Sequence, residues 1–371
     1  MLTSLHVENF RCFKNLDLAD FGLINVVVGK NSAGKTALLE SIFLGGGGPE
    51  LPALFRTWRG VTGVIPPIQT KAAYEAFWED LFFRFNSDLT IKVKLLGTPE
   101  NTRSTKIFYD KTSRAQVISP GPKDTKPPIG FSGYSDETRR LTSDASTIVP
   151  LVFEVTDASG TPYRLTAEVS ETGQLVINPA SRPMGAHTLF YVATLLSSPA
   201  SLASLFSDLS LRHQERNVVE TFREVFPQVT DFSVLTPSGL SGLYATIPNL
   251  KEKIAIGLIS AGMQKLVALL LSITTQRNGV VLIDEIEDGF YYQIFPKVWE
   301  SIIAFCKEYN TQLFTSTHSA EFLRVLGSMI KKNPDDFRLL RAEEDKEGHH
   351  TVKLFKGRDF EAALEIGTEI R

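Results

Sequence analysis

One eight-residue segment constrains the fold more than any other part of the chain. Residues 29–36 read GKNSAGKT and match the pattern G-x-x-x-x-G-K-[ST]. The segment follows an apolar run at residues 24–28 and precedes a helix-forming stretch at residues 36–43. A strand, a glycine-rich turn and a helix in this order surround a phosphate with backbone N–H groups and a helix N-terminus. The pattern therefore predicts a phosphate-binding loop.

The residue types of this loop indicate how it would hold the phosphates of a nucleotide. Glycines let the backbone approach the phosphates closely, Lys35 supplies a positive charge, and the Thr36 hydroxyl is a Mg²⁺ ligand. A glycine-rich turn with an incidental lysine is the alternative, which the flanking strand and helix disfavour. The residues predicted to bind the nucleotide here are Gly29, Asn31, Ser32, Ala33, Gly34, Lys35 and Thr36.

A second strand ends in two carboxylates. Residues 280–283 are all apolar and are followed by Asp284 and Glu285. A continuous apolar run is typical of a central parallel strand, and ligands bind at the carboxyl ends of such strands. We predict that Asp284 holds Mg²⁺ through its water shell. We predict that Glu285 is the general base, a role worth ~10²–10⁴ in rate; a polar loop after a buried strand is the alternative.

Two further segments carry candidate site residues. His318 follows a third apolar strand at residues 312–316, where it would sense the γ-phosphate; alone it would more often be a surface or core histidine. Ser260 and Gly262 begin a very apolar helix that includes residues 266–273. A serine and a glycine at a helix N-terminus form an anion site, or simply cap an ordinary core helix.

Composition excludes several classes of protein. The chain has 371 residues, a formal net charge of -3, 43% hydrophobic and 22% charged residues. These values exclude a disordered chain, a collagen-like repeat and a globally basic nucleic-acid coat. No apolar run approaches the ~18 residues of a membrane span, and the N-terminus does not resemble a signal peptide. The two cysteines, Cys12 and Cys306, are far apart in the sequence, so we expect a reduced, cytoplasmic protein. Because no segment is predicted to span a membrane, we expect no membrane partner.

The motifs predict one domain that is split in sequence. Residues 1–44 and 190–371 carry the motifs, and residues 45–189 form an inserted lid and antiparallel β region that offers a partner-binding surface. Residues 103–140, which include the loop SPGPKDTKPPIG, contain eight basic and four acidic residues. Their net positive charge could contact DNA or an acidic protein; a solvated loop is the alternative. Because only a short stretch follows His318, we expect no appended nuclease domain.

The motifs also resemble a known superfamily. The segments LHVENFRCFKNLDL, GKNSAGKT, ISAGMQKL, VVLIDEIEDG and TSTHS occur in the order found in the ATPase heads of the SMC/RecF/OLD branch of ABC ATPases. More narrowly, they resemble stand-alone OLD-like ATPases of phage-defence operons. The resemblance implies an α/β fold, an ABC-type P-loop NTPase head with a mixed, largely parallel core sheet and an inserted α and β middle region.

The resemblance implies cofactors and roles. ATP and Mg²⁺ would be the cofactors, with Lys35 and Thr36 on phosphates and metal, Asp284 completing the metal site, and Glu285 as the base. His318 would be the switch histidine. Ser260 and Gly262 would contact the γ-phosphate of ATP held by a second subunit, so hydrolysis would require a homodimer or higher oligomer. The sequence ISAGMQ departs from the stricter L-S-G-G-[QE] pattern at this contact.

Three functions remain open from the sequence. The first is a dimeric ATPase that acts as sensor or regulator with a separately encoded effector in anti-phage defence. The second is a RecF-like ATPase that binds DNA in repair. The third, which the motifs favour least, is the nucleotide-binding subunit of an ABC transporter.

Overall fold

The computed structural model describes residues 1–46, 68, 70–99, 102–113, 115–117, 146–160, 162–169, 175–179, 191–192 and 199–360. Its strands are β1 (Leu2–Phe10), β2 (Phe13–Ala19), β3 (Ile24–Val28), β4 (Ile91–Gly97), β5 (Arg103–Tyr109), β6 (Ala115–Val117), β7 (Ser146–Ile148), β8 (Leu151–Asp157), β9 (Pro162–Val169), β10 (Leu175–Pro179), β11 (Tyr191–Val192), β12 (Asp231–Leu235), β13 (Gly242–Thr246), β14 (Ile254–Ala255), β15 (Val280–Ile283), β16 (Gln312–Ser316), β17 (Phe337–Glu344) and β18 (His350–Lys356). Its α-helices are α1 (Lys35–Gly46), α2 (Lys71–Trp78), α3 (Pro199–Ser210), α4 (Glu215–Val225), α5 (Ala261–Thr275), α6 (Phe295–Tyr309) and α7 (Ala320–Ile330).

A six-stranded sheet carries the predicted motifs. Its order is β11-β15-β16-β3-β17-β18, and every pair is parallel except β17 with β18. Strands β3, β15 and β16 are buried along their whole length, as expected for strands covered on both faces. The three predicted strands and the α/β fold with a mixed, largely parallel core sheet are confirmed.

A seven-stranded antiparallel sheet forms the second layer. Its order is β10-β9-β8-β5-β4-β1-β2, so the N-terminal hairpin pairs with strands from the middle of the chain. Strands β9 and β10 pair antiparallel, and residues 170–174 between them lie outside the described residues. The sheet runs across the proposed boundary at residue 44, and the division into head and insertion stays a prediction.

Helix α1 lies between the two sheets. Leu38, Leu39 and Ile42 are fully buried and share one core with both of them. Gln312 at the start of β16 strengthens this junction, because its side-chain Oε1 accepts from the Leu2 N–H at 2.7 Å and its Nε2 donates to the carbonyls of Leu2 and Gly22. The helix that starts in the phosphate loop is therefore fixed from both sides.

The remaining helices cover the other face of the parallel sheet. Helices α3 to α7 bury a core that includes Leu266, Trp299 and Phe322, and the small sheet β12-β13-β14 precedes α5. Helix α2 instead contributes Tyr74 and Trp78 to the core that contains α1. Among the described helices, none is both long and apolar enough to cross a bilayer.

Candidate functional site

The phosphate loop connects β3 to α1. Gly29, Ser32 and Gly34 have positive φ angles of 144°, 65° and 101°, which turn the backbone sharply between strand and helix. The Lys35 ammonium donates to the carbonyls of Gly29 at 2.8 Å and Lys30 at 3.0 Å. Burial lowers the pKa of Lys35, and the carboxylates of the neighbouring acidic segment oppose this shift. The ammonium thus lies within the loop, where it can meet a phosphate.

Residues at the turn between β1 and β2 pack against the phosphate loop at Gly34. A Cβ on Gly34 would lie 3.0 Å from the Cys12 sulfur and 3.1 Å from the Phe13 ring. On another side, His350 Nδ1 lies 3.2 Å from the Ala33 carbonyl oxygen. The position therefore requires glycine both for its backbone angle and for the close approach of the NFRCF segment.

Thr36 in the first turn of α1 contacts Asp284, which directly follows β15. The Thr36 hydroxyl donates to Asp284 Oδ2 at 2.7 Å, and the Ser316 hydroxyl donates to Asp284 Oδ1. Ser316 also accepts from the backbone N–H of Glu285 at 2.8 Å. A hydroxyl and a carboxylate at this separation are the oxygen ligands that Mg²⁺ prefers, so these residues fit the ion. Our sequence analysis missed Ser316, which ends the strand next to the acidic one.

Glu285 and His318 extend the site. Glu285 has a positive φ of 49°, and both side chains are about half exposed, at 50% and 51%. His318 Nδ1 lies 3.7 Å from Glu285 Oε1. A hydrogen bond with Asp288, together with partial burial, raises the pKa of Glu285. A carboxylate with a raised pKa is a better proton acceptor than an ordinary one.

Glu287, which the sequence analysis did not select, lies under the histidine. Its side chain is 7% exposed, and Oε1 accepts from the backbone N–H groups of His318 at 2.9 Å and Ser319 at 3.1 Å. His318 Nδ1 lies 3.4 Å from the same oxygen. The only available signal was the alternation of carboxylates in DEIED, which places Glu285 and Glu287 two residues apart.

Ser260 and Gly262, the residues predicted to contact a second subunit's ATP, lie at the start of α5. Ser260 caps the helix by accepting from the Met263 N–H at 3.4 Å, and Gly262 packs against the carbonyl of Gly289. Among the described residues, no hydrogen bond joins Ser260 or Gly262 to residues 29–36. Lys265, one turn into the helix, donates to the main-chain carbonyl of Glu285. The structure therefore joins the start of α5 to the acidic loop rather than to the phosphate loop.

Family models match most of the chain. The model described as "AAA domain, putative AbiEii toxin, Type IV TA system" matches residues 100–324, more than half of the chain. The chain belongs to this AAA domain family. A second model, described as "AAA ATPase domain", matches residues 1–107, which include the phosphate loop. These matches agree with the site geometry, and the protein is an ATPase.

Two curated relatives are similar to this ATPase. An "ATP/GTP phosphatase" of Helicobacter pylori is 20% identical over 365 residues, which cover 96% of this chain and 92% of that protein. An uncharacterized protein of Methanocaldococcus jannaschii is 33% identical over 104 residues, which cover 26% of this chain and 42% of that protein. The first similarity extends over nearly the full length of both chains.

Solved structures of SMC heads are also similar. An SMC head bound to the C-winged helix domain of ScpA has 14% identity and a TM-score of 0.49, with coverage of 96% of this chain and 99% of that one. An SMC head bound to the C-terminal domain of ScpA derived from Pyrococcus furiosus has 12% identity and a TM-score of 0.48, with coverage of 100% and 99%. The family assignment comes from the family models.

A cavity of about 620 Å³ opens beside the phosphate loop of the ATPase. Thr36 and Arg11 form one side, and Phe83, Arg84 and Phe85 form another. The Phe85 ring is 67% exposed, and the Arg84 guanidinium lies 5.3 Å from the centre of the Phe83 ring. The cavity lining thus combines aromatic rings, arginines and the carboxyl groups of Glu40 and Asp80 beside Thr36.

The basic segment of the middle region is only partly described. Arg103 is buried and donates to the Gly46 carbonyl, Lys106 lies 3.5 Å from Glu154, and Lys111 lies 2.6 Å from Asp88. These three side chains are therefore engaged within the protein. The other basic residues of the segment lie outside the described residues: Arg114, Lys123, Lys126, Arg139 and Arg140.

Proposed function

We propose that the ATPase binds ATP through residues 29–36 and hydrolyses it at the ends of β3, β15 and β16. The observation that supports this proposal is the hydrogen bond from the Thr36 hydroxyl to Asp284 Oδ2 at 2.7 Å, beside Glu285 and His318. Lys35 binds the β- and γ-phosphates, and Thr36 and Asp284 would hold Mg²⁺. Glu285 is the general base and His318 contacts the γ-phosphate.

The chemistry follows from this arrangement. Glu285 accepts a proton from a water molecule as the water oxygen attacks the γ-phosphorus. The bond from that phosphorus to the β–γ bridging oxygen breaks, and ADP leaves with the electron pair. Lys35 and the N-terminus of α1 stabilise the negative charge on the phosphate oxygens. Bound Mg²⁺ would supply further charge neutralisation at Thr36 and Asp284.

The base and sugar of ATP are proposed to occupy the cavity beside Thr36. Phe83 and Phe85 offer ring faces for stacking, and Arg84 offers donors to the sugar or base. A volume of about 620 Å³ is within the usual range for small-molecule sites. The phosphate loop lies at the edge of this cavity, so one nucleotide can place its phosphates in the loop and its base and sugar in the cavity.

Hydrolysis is further proposed to need two copies of the chain. Ser260 is exposed and, like Gly262, shares no hydrogen bond with the described phosphate loop of its own subunit. In a two-fold dimer the same surface serves both subunits, so each α5 N-terminus could meet the ATP of its partner. ATP would then hold the dimer together, and hydrolysis would release it.

In the cell, we propose a sensor or regulator in anti-phage defence that acts with a separately encoded effector. The family description names a toxin and a Type IV TA system, which supports a defence setting. The RecF-like alternative is supported by the basic residues of the middle region, whose positive charge could contact DNA. DNA-stimulated hydrolysis by the protein alone would favour that alternative, while co-purification with a neighbouring gene product would favour the defence role. A membrane permease partner would favour the transporter.

The hydrolytic assignment is tested by Glu285→Gln. We expect the rate of phosphate release at saturating ATP to fall by ~10²–10⁴, because the general base is lost, with ATP affinity preserved. The matched control is Glu220→Gln on the exposed face of α4, which should keep the normal rate. Lys35→Ala should instead lose ATP binding in calorimetry. Normal turnover by Glu285→Gln would contradict the assignment of the base.

A further inference from the structure

Glu287 is a buried acid that has no part in the hydrolytic step described above. It follows the acidic strand by four residues, and its side chain is 7% exposed. Burying a carboxylate is costly unless hydrogen bonds and nearby charges compensate for the lost water. Two lysines of the site, Lys35 and Lys265, lie close enough for electrostatic interaction with it. Because this burial is costly, we expect the Glu287 carboxylate to have a specific function in the site.

The contacts of Glu287 converge on one segment. Oε1 accepts from the backbone N–H groups of His318 and Ser319 at 2.9 and 3.1 Å, which fixes the chain where β16 ends and α7 begins. The same oxygen lies 3.4 Å from His318 Nδ1. One carboxylate thus contacts both the backbone and the ring of a single residue.

The ring of His318 lies between two carboxylates. Glu285 Oε1 is 3.7 Å from Nδ1 on the exposed side, and Glu287 Oε1 is 3.4 Å away on the buried side. Since both acids approach Nδ1, the second ring nitrogen, Nε2, is left available to a ligand. A carboxylate that contacts one imidazole nitrogen sets the orientation of the ring and directs the other nitrogen.

We propose that Glu287 is the positioning residue for His318, holding its backbone and Nδ1 so that Nε2 faces the γ-phosphate of bound ATP. The inference rests on the proposed role of His318 as the γ-phosphate contact. Glu287 itself does not touch the nucleotide. It acts during turnover by keeping the histidine in place while the phosphate oxygens gain negative charge.

The test is Glu287→Gln, which retains an oxygen to accept from the two N–H groups but removes the negative charge. We expect kcat to fall roughly tenfold, with ATP affinity in calorimetry unchanged, because the loss acts through one neighbouring residue. Glu220→Gln is the control: it makes the same charge change at an exposed position on a different helix, α4. This control should retain the wild-type kcat.

A double-mutant cycle with His318→Ala assigns the effect. If Glu287 acts through His318, Glu287→Gln should cause no further loss of kcat in the His318→Ala background. Equal fractional losses in both backgrounds would overturn the positioning role while leaving His318 as a phosphate contact. A wild-type kcat for His318→Ala would overturn both roles. Glu287→Ala, which also removes the backbone acceptor, should lose more activity than Glu287→Gln, and equal losses would contradict the backbone part of the proposal.

Discussion

Arg11 and Glu40 form a charged pair beneath the phosphate loop. Glu40 is 1% exposed, and its two oxygens lie 2.8 and 3.0 Å from Arg11 Nε and Nη2. Burial raises the pKa of Glu40, and removal of Arg11 takes away the cation that stabilises the charged form of this buried carboxyl. We therefore expect Arg11→Met to lower the free energy of unfolding by about 3–5 kcal/mol in urea denaturation.

The control for this prediction is the double variant Arg11→Met with Glu40→Leu. Replacing both charges with apolar groups of similar size removes the desolvation cost, so the double variant should recover most of the lost stability. A loss below about 1 kcal/mol in Arg11→Met, the value of an exposed ion pair, would show that Glu40 is not buried in solution.

The candidate site residues that could be predicted from the sequence have a suitable side chain and follow an apolar strand. Asp284, Glu285 and His318 each follow an apolar strand, and the structure brings them together near Thr36. Ser316 and Glu287 were missed because their contacts depend on which strands are neighbours. The pairing of β15 with β16 aligns Ile283 with Thr315, and it is this register that brings Ser316 to Asp284. Nothing local in the sequence specifies such a register.

At the level of elements, helix α5 and the loop after β15 make a close backbone contact at Gly262 and Gly289. Gly289 has a φ of +84°, and a Cβ there would lie 3.0 Å from the Gly262 nitrogen and 3.2 Å from the Ala261 carbonyl carbon. We expect Gly289→Ala to separate α5 from the loop that carries Glu285. Both kcat for ATP hydrolysis and the free energy of unfolding should fall.

Gly239→Ala is the matched control for that change. Gly239 has nearly the same φ, +85°, but its Cβ would meet nothing within 4 Å. Both variants share the backbone cost of a left-handed alanine, ~1–2 kcal/mol, and only Gly289→Ala adds an overpacking cost of ~1–3 kcal/mol. If the two variants have equal stability and equal kcat, the contact between α5 and the acidic loop has no consequence for function.

The elements themselves were predictable to different degrees. The strand at residues 280–283 was found because burial on both faces makes it wholly apolar, and those at residues 24–28 and 312–316 were found from their apolar residues and their position beside a motif. The pairing of β1 with β4 was not foreseen, since antiparallel partners more than 80 residues apart leave no local pattern. Helix α1 was recognised by the motif before it rather than by an amphipathic face, because both sheets bury it.

For the molecule as a whole, the proposed dimer would join two segments that come from different subunits. The phosphate loop and the start of α5 share no hydrogen bond within the described chain, yet Lys265 and Gly262 tie α5 to the acidic loop. A partner nucleotide that contacts Ser260 would therefore act on the loop bearing Glu285. This connection gives a physical route by which one site of a dimer could influence the other.

Mixing two inactive variants tests this dimer. Lys35→Ala removes the phosphate contact, and Ser260→Arg blocks the start of α5, so each homodimer should lack turnover. A mixed dimer contains one site built from an intact phosphate loop and an intact α5 N-terminus. An equal mixture should therefore recover roughly a quarter of the wild-type phosphate release, since half of the dimers are mixed and each has one working site. Activity of Ser260→Arg alone, or no recovery on mixing despite ATP-dependent dimers in sedimentation, would show that each subunit hydrolyses ATP without its partner's α5.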